Sequence, residues 1–451
     1  MRVLVTVSDQ AWGGKHRYTL DVAAGLRAAG HDVVLAAERG GRSLDAWPEP
    51  VAAPVFRDHP EEAAAVLRER VGAPDVVCAT GRHDAAVVRG LLREDGWPSA
   101  LVLFRHSAFP LEQGEGTRWL LDRAGLVVAT SWEQARAQFG DLVAARDPRL
   151  LVLLSGVRAG LADAVAALDR DRLRADLGIA PGQCAFAVLA RLSWEKGIDR
   201  LLRAFALVAV DPAPVLLLVG EGEQRAELEA LAASAGIADR VRFLGHHDDV
   251  LPVLAAADAA VLASTVPETG PLALKESMAA GLPVVAPAIG GIPEFVTDSC
   301  SGLLFADDDG LRDALTRLAS SERLRELLGR GARAAIEEGH RLDRRVEHLL
   351  WRLDLLLAER GDVDRLLGEL SWDEVRLRRE ADTGFVFVPR TSYLAELDAA
   401  THADVAQAVR AGDPALLLGT GSHPRRALVD QLYRMGALRR ADTAAALVAT
   451  A

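Results

Sequence analysis

The chain has 451 residues, half of them hydrophobic, which is enough for two large domains and a further small one, because single cores rarely exceed about 250 to 300 residues. Its formal net charge of -12 disfavours a protein that binds nucleic acid or an anionic membrane, since both need basic surface. No apolar run reaches the length of a membrane span and no secretory signal pattern opens the chain, so we expect a cytoplasmic protein.

The first 160 residues alternate short apolar runs with helical periods, which is the pattern of a parallel α/β domain. Gly13 and Gly14 follow the first apolar run and open a helix, so their N–H groups can meet a phosphate; a flexible turn is the alternative. The predicted strands are Val3–Val7, Val33–Ala37, Asp75–Ala79, Ala100–Phe104, Leu126–Thr130 and Leu150–Leu154.

His106 comes directly after one of these strands, at the carboxyl end where parallel sheets bind ligands. Two interpretations stay open for it. As a functional residue it would face a ligand bound at that edge. As a structural one it would be a solvated loop residue beside Arg105.

The three cysteines, Cys78, Cys184 and Cys300, are too few and too widely spaced for a disulfide framework or a metal site. We expect buried thiols in a reduced compartment. Cys78 in particular lies inside an apolar run, where a small core residue is typical.

From residue 156 to about 180 the sequence is charged and helical, which predicts a linker into a second α/β domain. Asp169 and Asp171 lie in this arginine-rich run, so we interpret them as a salt-bridged surface and predict no metal site. Apolar runs and helical periods then alternate again, and a parallel sheet follows from that order. Its predicted strands are Ala185–Ala190, Val215–Gly220, Arg240–Gly245, Ala259–Ser264 and Pro283–Ala288.

The residues that follow these five strands are unusual for simple loops, because they comprise two cations, a carboxylate and several glycines. The carboxyl ends of parallel strands meet at the same edge of a sheet, so we expect one site there. The residues are Arg191, Lys196, Gly220, Gly222, Gly245, Glu268, Gly270, Pro271, Gly290 and Gly291.

Two carboxylates contribute to the expected site, one in a loop and one in a helix. Glu268 lies between Pro267 and the Gly270-Pro271 pair, which exclude a regular helix. Glu276 lies in the helix that begins at Leu272. Cations with close backbone approach suit a diphosphate, and carboxylates suit sugar or ribose hydroxyls, so the predicted ligand is a nucleoside-diphosphate sugar.

Four elements in this order make the sequence resemble the GT4-type (group 1) retaining glycosyltransferases of the GT-B fold, over about residues 1–358. They are Arg191-x4-Lys196-Gly, Gly220-Glu-Gly222, Glu268-x7-Glu276 and Gly290-Gly-Ile-Pro-Glu294. The resemblance implies two Rossmann-like doubly wound domains that face each other across a cleft. It also implies a nucleotide-sugar donor. The balanced charges of residues 57–123 disfavour an anionic-lipid acceptor and leave a small-molecule acceptor, and without a carboxylate cluster for a metal ion we expect no cofactor.

The resemblance implies a role for each site residue. Arg191 and Lys196 would bind the donor diphosphate, Glu268 the hydroxyls of the transferred sugar, and Glu276 the ribose. His106 would lie near the reacting sugar, where it would orient a hydroxyl or share a proton. Gly270 and Pro271 depart from the aromatic residue and glycine that are usual in the family, and Ser155 replaces a usual asparagine. The predicted catalytic set is His106, Arg191, Lys196 and Glu268, and the predicted donor-binding set is Gly13, Gly14, Gly220, Gly222, Gly270, Pro271, Leu272 and Glu276.

The predicted function is a retaining transfer of a hexose-type sugar, with UDP favoured as the nucleotide, to a hydroxyl of a small soluble acceptor. Retention follows from the resemblance alone, and since no residue reads as a covalent nucleophile, a front-face mechanism is expected. A GT-B-fold epimerase, a sugar phosphorylase and a non-catalytic nucleotide-sugar binding protein remain alternatives. An epimerase needs acid and base groups around its sugar C2 and a cofactor-dependent phosphorylase needs a lysine aldimine, and neither motif is evident.

The predicted domains are residues 1–160 on the acceptor side, 161–340 on the nucleotide-sugar side, a crossover helix at 341–358 and an accessory appendix at 361–451. The crossover helix has an apolar stripe that would pack on the first domain. For the appendix we expect packing or homodimerisation; a lid or a carrier-protein contact is the alternative. Its predicted elements are a strand at Gly384–Val388 and helices at Tyr393–Ala411 and Arg425–Leu438.

Overall fold

The computed structural model describes two α/β halves and parts of a third region near the C-terminus. The described residues are 1–8, 12–81, 83–93, 96–107, 114–145, 147, 149–357, 370–372, 375–380, 383–388, 393–412, 432 and 437–440.

The first half is built on a seven-stranded parallel sheet in the order β3-β2-β1-β4-β5-β6-β7. The six predicted strands are present, and the short β3 at its edge was not predicted because three residues carry too weak a pattern. The strands are β1 (Arg2–Val7), β2 (Asp32–Glu38), β3 (Val51–Ala53), β4 (Val76–Ala79), β5 (Ala100–Arg105), β6 (Leu126–Ala129) and β7 (Leu150–Val152). The helices between them are α1 (Gly14–Ala28), α2 (Pro60–Val71), α3 (Asp84–Leu92), α4 (Glu115–Arg123), α5 (Trp132–Gln138) and α6 (Gly140–Ala144).

The second half contains a six-stranded parallel sheet in the order β10-β9-β8-β11-β12-β13. The strands are β8 (Ala185–Leu189), β9 (Val215–Val219), β10 (Val241–Gly245), β11 (Ala259–Val261), β12 (Val284–Pro287) and β13 (Gly302–Phe305). The helices are α7 (Leu161–Ala166), α8 (Arg170–Asp176), α9 (Ile198–Ala206), α10 (Arg225–Ser234), α11 (Leu251–Ala256), α12 (Leu272–Ala279), α13 (Asp308–Ser320), α14 (Glu322–Gly339) and α15 (Leu342–Leu357). The predicted pair of doubly wound α/β units is therefore confirmed.

Each sheet has a point where the direction of winding reverses, and the two reversals position the candidate site. In the first sheet the neighbours are β1 and β4, and in the second they are β8 and β11. Ligands bind outside the carboxyl ends of the strands at such points. The loops after β1, β8 and β11 therefore lie where sheets of this kind bind ligands.

The two halves share one apolar core cluster. It includes Val3 and Leu26 from the first half and Met278 and Val346 from the second, all almost completely buried. Gly25 of α1 allows α15 to pack closely, because a Cβ there would lie 2.5 Å from Val346 Cγ2. The helix that follows the second sheet thus returns to the first, and the predicted residue boundaries between domains remain predictions.

The charged run of the linker forms α8, and the interpretation of Asp169 and Asp171 as a salt-bridged surface stays a prediction. Asp169 caps α8 by accepting from the Arg172 N–H at 3.1 Å. Two arginines of α8, Arg170 and Arg174, bond the Asp258 carboxylate at 2.6 and 3.0 Å. The charged run is therefore a helix tied to the second sheet by ion pairs.

Two expectations need correction. Cys300 is exposed, whereas Cys78 and Cys184 are buried as expected. The predicted helix at Tyr393–Ala411 is wrong in its first part, because Tyr393–Asp398 is a strand that pairs with Thr383–Val388 and satisfies its backbone there.

The region after α15 contains β14 (Leu370–Trp372), β15 (Arg376–Glu380), β16 (Thr383–Val388), β17 (Tyr393–Asp398), α16 (Ala399–Ala411) and β18 (Leu438–Arg440). The strand predicted at Gly384–Val388 corresponds to β16. The helix predicted at Arg425–Leu438 falls almost entirely outside the described residues. Among the helices of the described part of the chain, none combines the length and the apolar character that a membrane crossing requires.

Candidate functional site

Lys196 and Glu268 meet where the second sheet reverses its winding. Lys196 ends a 3-10 turn after β8, and Glu268 lies in the loop after β11. The Lys196 Nζ is 2.6 Å from Glu268 Oε1, and the two side chains stay 23% and 16% exposed. The Ser264 hydroxyl donates to the same carboxylate oxygen at 2.6 Å. A cation and an acid from separate strand ends therefore open onto the crevice where α/β sheets bind ligands.

Arg191 lies at the rim of the same loop rather than beside Glu268. Its side chain is 58% exposed, and its Nη2 is 2.7 Å from Glu195 Oε1. Burial alone would raise the pKa of Glu195, but hydrogen bonds from Ser193 and its own backbone, together with Arg191, outweigh burial and lower that pKa. Glu195 is thus an anchor for Arg191, and its role was not foreseen from the sequence.

The loop that carries Glu268 packs against the Gly290-Gly291 turn after β12. The Gly291 N–H donates to the Glu268 carbonyl at 2.7 Å. Gly290 has a φ of +57°, and a Cβ on it would lie 2.5 Å from the Glu268 carbonyl oxygen. Glycine is needed here for both reasons, the positive φ and the close approach of two backbones.

Gly220 and Gly222 bring the loop after β9 against the loop that carries Arg191. A Cβ on Gly220 would lie 1.9 Å from the Ala190 carbonyl oxygen, and one on Gly222 would lie 2.2 Å from that of Leu192. The Gly220 N–H already donates to a carbonyl within the protein, at 2.7 Å. These glycines shape the backbone of the site, and a contact from them to a ligand stays a prediction.

Gly13 and Gly14 form the start of α1, next to the reversal of the first sheet. Among the described residues, a Cβ on either glycine would meet nothing within 4 Å, so that part of the chain leaves the start of this helix open. The first turn has no acidic residue and carries Lys15 and Arg17. The positive end of the helix and these cations favour an anion, although a phosphate contact remains a prediction.

Gly270, Pro271 and Leu272 connect the Glu268 loop to α12. Pro271 is the N-cap of α12, and Leu272 is a buried core residue. The Gly270 carbonyl accepts from the Ser155 hydroxyl at 3.0 Å, and a Cβ on Gly270 would lie 2.8 Å from the Ser155 hydroxyl oxygen. A residue at the end of the first half therefore holds the backbone between the two predicted carboxylates.

Glu276 faces the first half, where Arg17 of α1 approaches its carboxylate to 3.8 Å. Burial raises the pKa of Glu276, and the charge of Asp21 raises it further, while Arg17 and Arg158 oppose the shift. The carboxylate therefore lies in surroundings that disfavour its charged form. Such a group is suited to accepting hydrogen bonds from a ligand that replaces the lost water.

Replacing Glu276 with glutamine is expected to stabilise the unliganded protein at pH 7. The folded pKa of Glu276 lies above its ordinary value of 4.5, so the stability linked to this group is fully present below pH 4.5 and is lost as pH rises through the folded pKa. Thermal unfolding from pH 4 to pH 8 should show a higher Tm for Glu276→Gln at pH 7 and a smaller loss with rising pH.

The same variant is expected to bind the donor nucleotide at least tenfold more weakly, about 1.4 kcal/mol, because the amide replaces two acceptor oxygens by one. Glu69→Gln is the matched control, since Glu69 is exposed on α2. A Glu276→Gln protein that unfolds at a lower temperature than wild type at pH 7 would contradict this interpretation.

His106 follows β5, at the carboxyl edge of the first sheet. Its carbonyl accepts from the Thr269 hydroxyl across the cleft at 3.0 Å, and its Nε2 lies 3.4 Å from Thr19 Oγ1. Burial of the ring, helped by neighbouring cations, lowers the pKa of His106 to about 3. His106 is therefore neutral at pH 7, which suits the orientation of a hydroxyl and does not suit a shared proton.

Lys275 and Glu294 contact the first half beside the site, and no role was predicted for either side chain. Lys275 is fully buried and donates to the Ser155 carbonyl at 2.8 Å. Burial is the main cause that lowers the pKa of Lys275 well below its ordinary value. Glu294 accepts from the N–H groups of Trp132 and Glu133 at 2.8 and 2.7 Å, which satisfies the start of α5.

The chemistry of this arrangement follows from its groups. Lys196 can stabilise negative charge that develops in the crevice. The carboxylate oxygens of Glu268 and Glu276 accept hydrogen bonds, so each can hold a hydroxyl group. The site thus fits a ligand with an anionic centre and hydroxyl groups on either side of it.

The chain is similar to known proteins both in sequence and in fold. Residues 169–335 match the family described as "Glycosyl transferases group 1". The fold is similar to that of HepE from Anabaena, solved in complex with UDP and glucose, with a TM-score of 0.66 and 22% identity over 79% of this chain and 100% of that one.

Two curated relatives carry the sequence comparison. D-inositol 3-phosphate glycosyltransferase from Actinosynnema mirum is 34% identical over 299 residues, which are 63% of this chain and 67% of the relative. N-acetyl-alpha-D-glucosaminyl L-malate synthase from Bacillus anthracis is 31% identical over 178 residues, which are 39% of this chain and 46% of the relative, so the chain spans less than half of that relative's length. By its fold and by these similarities, the chain belongs to the group 1 glycosyltransferases of the GT-B fold.

Proposed function

We propose that this glycosyltransferase moves a hexose-type sugar from a nucleoside-diphosphate sugar, with UDP as the preferred nucleotide, to a hydroxyl group of a small soluble acceptor. The transfer retains the anomeric configuration and uses no metal ion. The observation that carries the proposal is the Lys196–Glu268 pair, 2.6 Å apart at the winding reversal of the second sheet. It combines a phosphate-binding group with a hydroxyl-binding group at one place.

The donor would lie with its diphosphate at Lys196 and Arg191, and with its ribose at Glu276. Departure of the nucleoside diphosphate adds about one negative charge to the leaving phosphate, and a positioned ammonium stabilises that charge most in the transition state. Glu268 would hold hydroxyls of the transferred sugar. Arg191, exposed at the rim, would reach the diphosphate once its bond to Glu195 is exchanged.

The first half would present the acceptor. His106 is neutral and lies at the edge that faces Thr269, so it can orient a hydroxyl by hydrogen bonding without a proton transfer. Among the side chains that the structure describes we assign no covalent nucleophile, and we propose that an oxygen of the departing phosphate accepts the proton of the incoming hydroxyl. Retention then follows because attack and departure occur on the same face of the sugar.

The names of relatives supply the first acceptors to test. The Actinosynnema mirum relative is named for D-inositol 3-phosphate and the Bacillus anthracis relative for L-malate. Both are small, anionic and hydroxylated. The open start of α1, with Lys15 and Arg17, is consistent with an acceptor of that kind.

The proposal is tested by measuring release of the nucleoside diphosphate. UDP-glucose, UDP-N-acetylglucosamine, GDP-glucose and ADP-glucose are each incubated with the protein, alone and with D-inositol 3-phosphate or L-malate. At least one pair is expected to release nucleoside diphosphate at least tenfold faster than the donor alone, with UDP donors fastest. NMR of the product should show the anomeric configuration of the donor.

Three results would overturn the proposal in different ways. Nucleotide binding without release would indicate a non-catalytic binding protein. Conversion of the donor sugar without any acceptor would indicate an epimerase. A product of inverted configuration would leave a transferase but remove the front-face mechanism.

A further inference from the structure

The buried amine of Lys275 is the most unusual charged group apart from the residues that are proposed to bind the sugar donor. The chain has 52 basic residues and only three of them are lysines, at positions 15, 196 and 275. Lys275 has no exposed surface, whereas lysine is almost never fully buried without a partner. A compact ammonium with three donors suits a place where a planar guanidinium would not fit.

The contacts of Lys275 are all inside the protein. Its Nζ donates to the Ser155 carbonyl at 2.8 Å and to the Ser155 hydroxyl oxygen at 3.0 Å. The amine also lies 4.5 Å from the centre of the Phe295 ring, a cation–π contact. Two hydrogen-bond acceptors and one aromatic ring thus surround the amine, and all three belong to the protein.

Ser155 passes this contact on to the Glu268 loop. The Ser155 hydroxyl donates to the Gly270 carbonyl at 3.0 Å, two residues after Glu268. A Cβ on Gly270 would lie 3.4 Å from the Lys275 Nζ, so loop and amine are in close proximity. Hydrogen-bond chains of this kind are stronger than their separate bonds, and a gap in one leaves buried groups unsatisfied.

Lys275 also occupies a decisive place in the sequence. It directly precedes Glu276 on α12, and it holds the backbone that follows Glu268. The distance between the two carboxylates depends on how the loop joins the helix. The Lys275–Ser155–Gly270 chain fixes that junction against the last residues of the first half.

We infer that Lys275 is a positioning residue, which acts through Ser155 to hold the loop of Glu268 in register with Glu276 for donor binding. This inference rests on the proposed function. It assigns no contact between Lys275 and the substrate.

The test compares Lys275→Met with wild type in steady-state transfer, using the donor and acceptor selected by the release assay. Methionine has a similar length and no donor. The KM for the donor is expected to rise at least tenfold while the KM for the acceptor stays within twofold of wild type. A purely structural role would lower the fraction of active enzyme, and therefore kcat, and would leave both KM values unchanged.

Ser155→Ala supports the test if Lys275→Met folds poorly, because it removes only the hydroxyl that links the amine to Gly270. It should raise the donor KM at least threefold, and the double variant should show less than the product of the two single effects. Lys275→Arg should not restore the donor KM.

The outcomes separate this inference from the function on which it rests. A wild-type protein that transfers no sugar and binds no nucleoside diphosphate by calorimetry would overturn the proposed function. Active wild type together with a folded Lys275→Met or Ser155→Ala protein of unchanged donor KM would overturn the positioning role alone.

Discussion

Replacing Lys196 with alanine is expected to lower kcat/KM for the donor about 100-fold, or about 2.7 kcal/mol, the range found when one preorganised donor to a developing negative charge is removed. Two effects add here. The variant loses the cation that faces the leaving phosphate. It also leaves the Glu268 carboxylate, which still accepts from the Ser264 hydroxyl, without the counter-charge of Lys196.

Steady-state kinetics with the preferred donor measures this loss, and Arg203→Ala is the matched control. Arg203 is an exposed cation on α9, seven residues further along the chain. It should keep wild-type kinetics, because removal of one exposed surface charge changes little. Wild-type kcat/KM in a folded Lys196→Ala protein would show that the cation at the winding reversal has no part in transfer.

Replacing Gly290 with alanine is expected to lower both stability and activity. The backbone at Gly290 has a φ of +57°, which costs a residue with a Cβ about 1 kcal/mol or more. The new Cβ would also lie 2.5 Å from the carbonyl oxygen and 2.6 Å from the amide nitrogen of Glu268. Since backbone atoms cannot rotate away, Glu268 must move, and we expect at least a tenfold loss of kcat/KM.

Gly236→Ala is the control for Gly290→Ala, because it also puts an alanine at a positive φ but brings its Cβ against no described backbone atom. Its φ is +69°, and a Cβ on it would meet nothing within 4 Å. Thermal unfolding should show a lower Tm for both variants, with wild-type activity only for Gly236→Ala. Equal activity of the two variants would contradict the claim that Gly290 sets the position of Glu268.

The sequence was sufficient to predict the meeting of Lys196 and Glu268. The two residues are 72 positions apart, but each follows a strand, and strands of a doubly wound sheet bring their carboxyl ends to one edge. The helix start at Gly13 and the position of His106 at the carboxyl edge of the first sheet follow from the same rule. These predictions needed only the alternation of apolar runs and helical periods.

The contacts between the two halves could not be predicted in this way. Lys275 and Ser155 are 120 residues apart, and Glu294 and Trp132 are 162 apart, on elements of different sheets. No periodicity of one half reports how it docks on the other. The burial of Lys275 had one local signal, its place between the buried Leu274 and Ser277, which is unusual for a lysine.

Tertiary pairing also explains the wrong helix at the C-terminal side. Residues 393–398 were assigned to a helix by their local pattern. In the structure they form an antiparallel pair with β16, in a register that runs from Thr383–Asp398 to Val388–Tyr393. Backbone pairing with a neighbour overrides a weak local preference over six residues.

Lys196 and Glu276 are proposed to bind different parts of one donor, and calorimetry with a truncated ligand separates the two contacts. The nucleoside diphosphate and monophosphate of the preferred donor are titrated into wild type, Lys196→Ala and Glu276→Gln. We expect Lys196→Ala to lower the preference for diphosphate over monophosphate at least tenfold, whereas Glu276→Gln should weaken the binding of both and keep the preference. An unchanged preference in Lys196→Ala, or unchanged affinities in Glu276→Gln, would contradict the proposal.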